Sequence, residues 1–322
     1  MAGVVAAATL SLIAGGVLAP QATAAGPAGS DAGDGKGAIA RWSPARTPSK
    51  PSGSSLTTGL PQMFQQGPVL KGRWQFEETT AGTPASTPDA AEQSPPMNLY
   101  GGAQLGPGTI DASGLQLNGV DSYAELPAVP VDTSSSFTAT AWVQASESPD
   151  HPMTVISAAG NTRSAFDLRF QPDPTGLEGL GSWELTLPDE DSAGAVTRQV
   201  SSTEFFDVRD WNHLAVVYDS FAKEARLYVN GVLQEFRCAD DDGDGRPDDS
   251  ACRDQVAWAG DVRTFKAEGA MQVGRTVPDT AGGYFAGTID DLWVFQGALN
   301  SSQVSYLANT WFDIPTEVPA GS

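Results

Sequence analysis

From about residue 72 to residue 311 the apolar positions come in short runs separated by turn residues. The segment Ser136-Phe137-Thr138-Ala139-Thr140-Ala141-Trp142-Val143 alternates with period two, the pattern of a strand with one covered face. Arg73 to Glu77, Leu115 to Leu117, Tyr123 to Leu126, Met153 to Ser157, Ala165 to Phe170 and Ser182 to Leu187 read as further strands. Trp211 to Asp219 is apolar over most of its length, as a strand covered on both faces is. Arg226-Leu227-Tyr228-Val229 and Val232-Leu233-Gln234 are joined by Asn230-Gly231. Both turn residues tolerate the positive φ of a type I′ turn, so a hairpin is expected there. Asn118-Gly119 marks another turn; Ala270 to Val273 and Phe285 to Phe295 close the series. One short helix is expected over Ser301 to Asn309, capped by Asn300 or Ser301. Many short strands with turns between them predict an all-β, antiparallel two-sheet sandwich or barrel with one short C-terminal helix.

The first 70 residues read differently. An apolar run from about Val4 to Leu18 ends at Ala22-Thr23-Ala24, a small-x-small cleavage pattern, so residues 1–24 are expected to be an export signal. No Lys or Arg precedes Lys36, and the missing basic stretch points to a start further upstream. Residues 25–70 are rich in Gly, Ala, Ser, Pro and Thr and lack apolar periodicity; they are expected to be a linker that cannot bury enough surface to offset its ordering entropy. The folded domain is then expected over 71–312, with a Pro-rich tail at 313–322. The run at the N-terminus is too short and too rich in Ala and Gly for a stable membrane span, so no membrane insertion is expected once the signal is removed.

Composition sharpens this picture at two points. The 35 glycines and 23 prolines favour turns over long helices. The net charge of −21 argues against nucleic acid or an anionic membrane as partner, because both select basic surfaces, and is compatible with divalent cations and neutral glycans.

Six aspartates lie between the only two cysteines, Cys238 and Cys252. Like charges at this density repel unless water or a cation screens them. Two cysteines in an oxidising compartment usually pair, and a Cys238–Cys252 bridge would close a short loop worth roughly 3 kcal/mol; two free thiols are the other reading. In an EF-hand-like frame Asp240, Asp242 and Asp244 take the first, third and fifth positions, Gly245 the sharp turn, the Arg246 carbonyl the seventh and Asp248 the ninth. Ala251 stands where the bidentate Glu belongs. The run also resembles the aspartate-rich loops of thrombospondin type 3 repeats. The expectation is a Ca²⁺ site of modest affinity, roughly 10⁻⁴ to 10⁻³ M, with a solvated acidic hairpin tip as the alternative.

The order of motifs carries a wider resemblance. Trp74-x-Phe76-Glu77-Glu78, Leu115-x-Leu117-Asn118-Gly119-x-x-Ser122-Tyr123, Ser136-Phe137-Thr138-x-x-x-Trp142-Val143, Trp211-Asn212-His213-Leu214 through Asp219, Leu227-Tyr228-Val229-Asn230-Gly231, Val273-Gly274-Arg275 and Phe285-x-Gly287-x-Ile289-Asp290-Asp291-Leu292 follow one another. Together they resemble the laminin-G-like, concanavalin A-like jelly roll of secreted bacterial proteins over about residues 72 to 310. The resemblance implies two stacked antiparallel sheets and a binding or adhesion role more often than catalysis, with carbohydrate the commonest ligand class. It also implies a structural Ca²⁺ between an early acidic residue, Glu77 or Glu78, and Asp290 on the last long strand; a plain surface carboxylate pair is the rival reading.

Catalytic signatures are absent from the chain. The Glu-x-Asp-x-x-Glu run by which glycosidases of this fold resemble one another does not occur, nor does a phosphate-binding glycine loop, a zinc spacing or a Gly-x-Ser-x-Gly elbow. His213 sits in an apolar strand and is expected to be a hydrogen-bonded core residue; His151 precedes Pro152 in a turn. Trp74, Trp142, Trp211 and Trp293 are expected in the core, whereas Trp183 and Trp258, nearer loops, are the better candidates for sugar stacking, with core or edge packing the favoured reading. The expected protein is a secreted, extracellular, non-catalytic module that recognises a glycan or an extracellular protein, with Ca²⁺ organising the acidic loop. A diverged glycoside hydrolase and a structural spacer in a surface assembly are the alternatives.

Overall fold

The computed structural model describes residues 67–77, 85–236, 255–256, 258–276 and 283–309, all within the unit Gln62–Ser322. The expected signal segment and tail, nearly all of the linker and the whole Cys238–Cys252 loop lie outside the described residues. In chain order the strands are β1 (Val69–Trp74), β2 (Ser86–Thr87), β3 (Met97–Tyr100), β4 (Gln104–Pro107), β5 (Ser113–Asn118), β6 (Tyr123–Leu126), β7 (Phe137–Ala145), β8 (Met153–Ala159), β9 (Ser164–Pro172) and β10 (Leu180–Pro188). They continue with β11 (Thr197–Ser201), β12 (Phe206–Asp207), β13 (Asn212–Asp219), β14 (Glu224–Val229), β15 (Val232–Leu233), β16 (Glu235–Phe236), β17 (Gln255–Val256), β18 (Trp258–Gly260), β19 (Met271–Val273) and β20 (Ala286–Gln296), before the helix α1 (Ser301–Asn309).

Two nine-stranded antiparallel sheets form the sandwich. The first runs β15-β14-β13-β7-β20-β5-β4, with β1 added to β20 and β18 to β14; the second runs β11-β10-β9-β8-β19-β6-β3-β2, with β12 on β10. The core between them takes alternate residues of each strand: Phe137, Ala139, Ala141 and Val143 of β7 and Leu214, Val216 and Tyr218 of β13 face Phe166, Leu168 and Phe170 of β9 and Trp183, Leu185 and Leu187 of β10. Phe137 stacks on Phe166 across the interface, with ring centroids 5.0 Å apart. Among the described residues no helix is long and apolar enough to cross a membrane.

The nearly unbroken apolar run of β13 has a structural reason. Its other face, Ala215 and Val217, is buried in a second cluster with Tyr228, Trp293 and Phe295, roofed by Leu299 and by Val304 and Leu307 of α1. The helix therefore closes the outer face of the first sheet. It begins where expected, through a reciprocal cap: Gln303 N donates to Asn300 Oδ1 at 2.9 Å and Asn300 N donates to Gln303 Oε1 at 3.0 Å.

The two Asn-Gly turns differ. Asn230 (φ 53°) and Gly231 (φ 79°) make the tight hairpin between β14 and β15, with Val229 opposite Val232. Asn118-Gly119 leads from the first sheet to the second instead, because the Asn118 Oδ1 gathers the amides of Val120, Asp121 and Ser122 at 2.8, 3.1 and 3.1 Å and turns the chain out of its plane.

Asn300→Ala should remove one half of the helix cap and lower the unfolding free energy by about 1 kcal/mol. Urea denaturation should show this as a lower midpoint at unchanged slope.

Candidate functional site

Strand β20 bonds to β7 along one edge and to two different strands along the other. Ala286 to Ile289 pair with β5, and Leu292 to Gln296 pair with β1. The change of neighbour falls at Asp290 and Asp291, where the pairing with β7 also skips from Asp290–Trp142 to Trp293–Thr140. Asp291 is held at φ 44° and nearby Phe76, fully buried, at φ 61°. For non-glycine residues this backbone costs roughly 1–3 kcal/mol each and persists only where its surroundings fix it.

Both aspartates are buried and do different work. Asp291 accepts from Arg73 Nε at 2.8 Å and from Trp293 Nε1 at 2.9 Å, while the Arg73 guanidinium lies 4.1 Å from the Trp293 ring centroid. Asp290 turns to the β4–β5 loop: its Oδ2 accepts from the amides of Thr109 at 2.7 Å and Ile110 at 2.8 Å. Glu77 takes the far end of the same loop, accepting from Ala112 N at 3.2 Å and Ser113 N at 3.0 Å. The two carboxylates that the resemblance singled out thus bracket one loop. Gly108 permits the close approach, since a Cβ there would lie 2.5 Å from Asp290 Oδ2 and 2.4 Å from the Ser113 carbonyl oxygen. The Asp290 Oδ1 is buried without a hydrogen-bond partner. Burial pushes the Asp290 carboxyl up to about 7; the two amides and the Asp291 backbone pull it down, and Asp291 adds to the rise. An unsatisfied hard oxygen beside strained backbone suits a hard cation. Among the described residues no three His, Cys, Asp or Glu side chains converge as ligands.

The outer face of the second sheet is the other candidate. Register aligns a polar row across it: Asn98, Glu125, Gln272, Ser157, Asp167, Thr186 and Gln199 lie opposite one another in turn. Gln272 Nε2 donates to Glu125 Oε2 at 2.7 Å, and Arg275 Nε donates to Gln272 Oε1 at 2.9 Å. Arg169 pairs with Asp167, and Gln199 Nε2 donates to Glu184 Oε2 at 2.6 Å. Burial pushes the Glu184 carboxyl up, and Arg169 pulls it down. The neighbouring row is aromatic. Tyr100 stacks on Tyr123 with centroids 4.9 Å apart, and Arg275 lies 3.4 Å over Tyr123.

The tryptophan expectations change at two positions: Trp211 is only half-buried and joins neither core cluster, and Trp183 offers no stacking surface. Trp183 is fully buried, on the inward side of β10 with Leu185 and Leu187, and its ring meets Phe170 edge-on at 5.1 Å; no face is open for stacking. The backbone of Trp258 is placed, in β18 opposite Arg226, but its side chain lies outside the described residues. Cys238, Asp240, Asp242, Asp244, Arg246, Asp248 and Cys252 also lie outside them. His213 is buried as expected, edge-on to Trp142 at 5.2 Å, but its Nδ1 has no hydrogen-bond partner. Burial pushes the imidazole down to about 3, so the ring is neutral. Tyr100, Glu125 and Gln272 were not anticipated, and Tyr123 and Arg275 appeared only as motif positions.

The comparisons with known proteins agree with this architecture. Residues 118–248 match the laminin-G-type family model of the concanavalin A-like lectin/glucanase superfamily. No curated protein matches the chain. Among solved structures, the binding domain of Paraclostridial Mosquitocidal Protein 1 aligns at 15% identity and a TM-score of 0.52, covering 76% of this chain and 53% of that one. The binding domain of Botulinum neurotoxin DC, solved in complex with rat synaptotagmin II, aligns at 12% identity and 0.52, covering 76% and 52%. This chain spans about half of each toxin domain, and at such identities the likeness is one of fold.

The two buried groups predict opposite pH effects. Asp290 has a folded pKa of about 7, above its ordinary 3.8, so its contribution is full below 3.8 and is lost as pH rises through 7. In chelator, Asp290→Asn keeps an acceptor for the loop amides and should exceed the parent in stability at pH 8 by on the order of 3 kcal/mol, the gap closing by pH 4. His213 has a folded pKa of about 3, below 6.5, so stability present above 6.5 is lost as pH falls toward 3. His213→Phe should flatten that slope in urea titrations run across the same range.

Proposed function

We propose that the chain is an exported, extracellular, non-catalytic binding module that presents the outer face of its second sheet to a glycan, with Ca²⁺ as a structural ion. One observation carries the reading. The helix and its cluster roof the outer face of the first sheet, whereas the corresponding face of the second bears a polar row with an aromatic row beside it. Polar side chains held in place by each other, next to aromatic rings, suit a hydroxyl-rich ligand. The toxin domains that share the fold are binding domains by name, and one neurotoxin structure concerns interaction with two ganglioside molecules at 14% identity and a TM-score of 0.51. Catalysis is disfavoured by the sequence, which lacks the Glu-x-Asp-x-x-Glu run that places paired carboxylates on one strand face.

Two sites are proposed for the cation. The first is the loop closed by a Cys238–Cys252 bridge, with Asp240, Asp242, Asp244, Asp248 and the Arg246 carbonyl as ligands. The second is the notch between Glu77 and Asp290, supported by the orphaned Asp290 Oδ1 and the strained backbone beside it. Calcium there would neutralise a carboxylate that burial otherwise holds partly protonated.

A glycan array probed with the full chain, in millimolar Ca²⁺ and in chelator, tests the binding role. Signal on at least one sugar class is expected, and a blank array in both conditions would remove the glycan reading. Calorimetric Ca²⁺ titration tests the ion. The parent should release heat, the double variant Asp242→Ala, Asp244→Ala should lose one component and Asp290→Asn the other. No heat in the parent would sink both sites.

A further inference from the structure

We propose that Tyr100 is the stacking platform for a neutral pyranose ring, with Asn98 taking a hydroxyl; the proposal rests on the glycan-binding reading above. The Tyr123 ring is occupied on both sides. Arg275 lies 3.4 Å from its centroid, and Tyr100 is stacked at 4.9 Å with 19° between the planes. A guanidinium and a ring this close would collide on one face, so they lie on opposite faces and the order is Arg275, Tyr123, Tyr100. Tyr100 is therefore the outermost layer, 40% exposed, with the face away from Tyr123 free of that stack. Its position is fixed from behind. Tyr100 pairs with Tyr123 across β3 and β6, and the following turn is tied down where Asn118 Nδ2 donates to the Gly101 carbonyl at 3.2 Å. A rigid aromatic face of this kind binds a flat apolar sugar face with little ordering cost.

The polar partner lies one row along. Asn98 is two residues from Tyr100 on the same strand and the same outer face. Two residues along a strand span about 6.6 Å, which matches the reach from a stacked ring to its outer hydroxyls. Glu125, opposite Asn98 on the Tyr123 strand, accepts from Gln272 at 2.7 Å and Arg275 at 3.4 Å on the side away from Tyr100, and so steadies the back of the stack. Charge then selects the sugar. The stack's one cation, Arg275, is already engaged by Glu125 and by the Tyr123 face, and the chain carries −21 overall, so a carboxylated or sulfated ring finds repulsion where a neutral one does not.

The test is calorimetric titration of the full chain with cello-, laminari-, xylo- and manno-hexaose and with oligogalacturonate as the anionic probe. At least one neutral series should bind, and oligogalacturonate should not. Tyr100→Ala should weaken that binding about tenfold or more, Tyr100→Phe should stay within about twofold, and Asn98→Ala should weaken it several-fold. Phe221→Ala, which removes a 62% exposed aromatic on the loop between β13 and β14, should change nothing. Neutral-sugar binding that survives Tyr100→Ala, or binding confined to the anionic probe, would overturn the platform and leave the glycan reading standing. No binding to any hexaose together with a blank array would remove both.

Discussion

A strand can bond to only one neighbour at a time along each edge, and β20 has two to serve on one edge. Its first half closes the sheet against β5 and its second half against β1. Between them the ladder breaks, and the backbone groups and side chains at the break must be satisfied some other way. Asp291 holds the β1 side through Arg73 and Trp293; Asp290 holds the β4–β5 side through two loop amides. The outcome is a buried acidic pair with one oxygen unsatisfied. That leftover is the physical reason the notch suits a cation, and it follows from the topology rather than from a motif.

The same logic recurs across the turns. Asp89 accepts from the amides of Arg73, Ala91, Gln93 and Ser94, at 2.6 to 2.9 Å. Asp191 accepts from Asn161, Thr162 and Arg163, at 2.6 to 2.8 Å. In a chain of short strands each turn exposes several amides in a row, and a carboxylate is a strong acceptor for them. Part of the net charge of −21 thus has a structural use: these acids stabilise loops whether or not a partner is present. Composition alone does not show this use, because it lies in where each oxygen points.

How far the fold was legible follows from burial. β7 and β13 were readable because their apolar patterns are strong, and β13's unbroken run correctly signalled cover on both faces. β3, β4 and β11 were missed: they are short, carry Pro or Gly or exposed polar residues, and gain their pairing from neighbours distant in sequence. Nearness to a loop kept Trp183 open to stacking, while its phase with Leu185 and Leu187 already pointed to the core packing the fold shows. Glu77 and Asp290 came from a resemblance, and no spacing in the chain foretells that they bracket one loop. Tyr100, Tyr123 and Arg275 were opaque for the same reason. They stand in or next to β3, β6 and β19, and only sheet order brings those strands together.

The two outer faces complete the asymmetry. On the first sheet, Trp293, Phe295 and Val217 are apolar and require cover, which α1 provides. On the second, the outward residues satisfy one another laterally: Glu125 with Gln272 and Arg275, Asp167 with Arg169, Glu184 with Gln199. Cross-links of this kind let Ser157, Gln272 and Asp167 sit buried within the row, because each keeps a partner there. The row is also pre-ordered, since each side chain's rotamer is fixed by its neighbour. The exposed end of this face, around Tyr100, is thus ordered before any ligand arrives, and the sandwich can offer it because the apolar demand has been met on the opposite side.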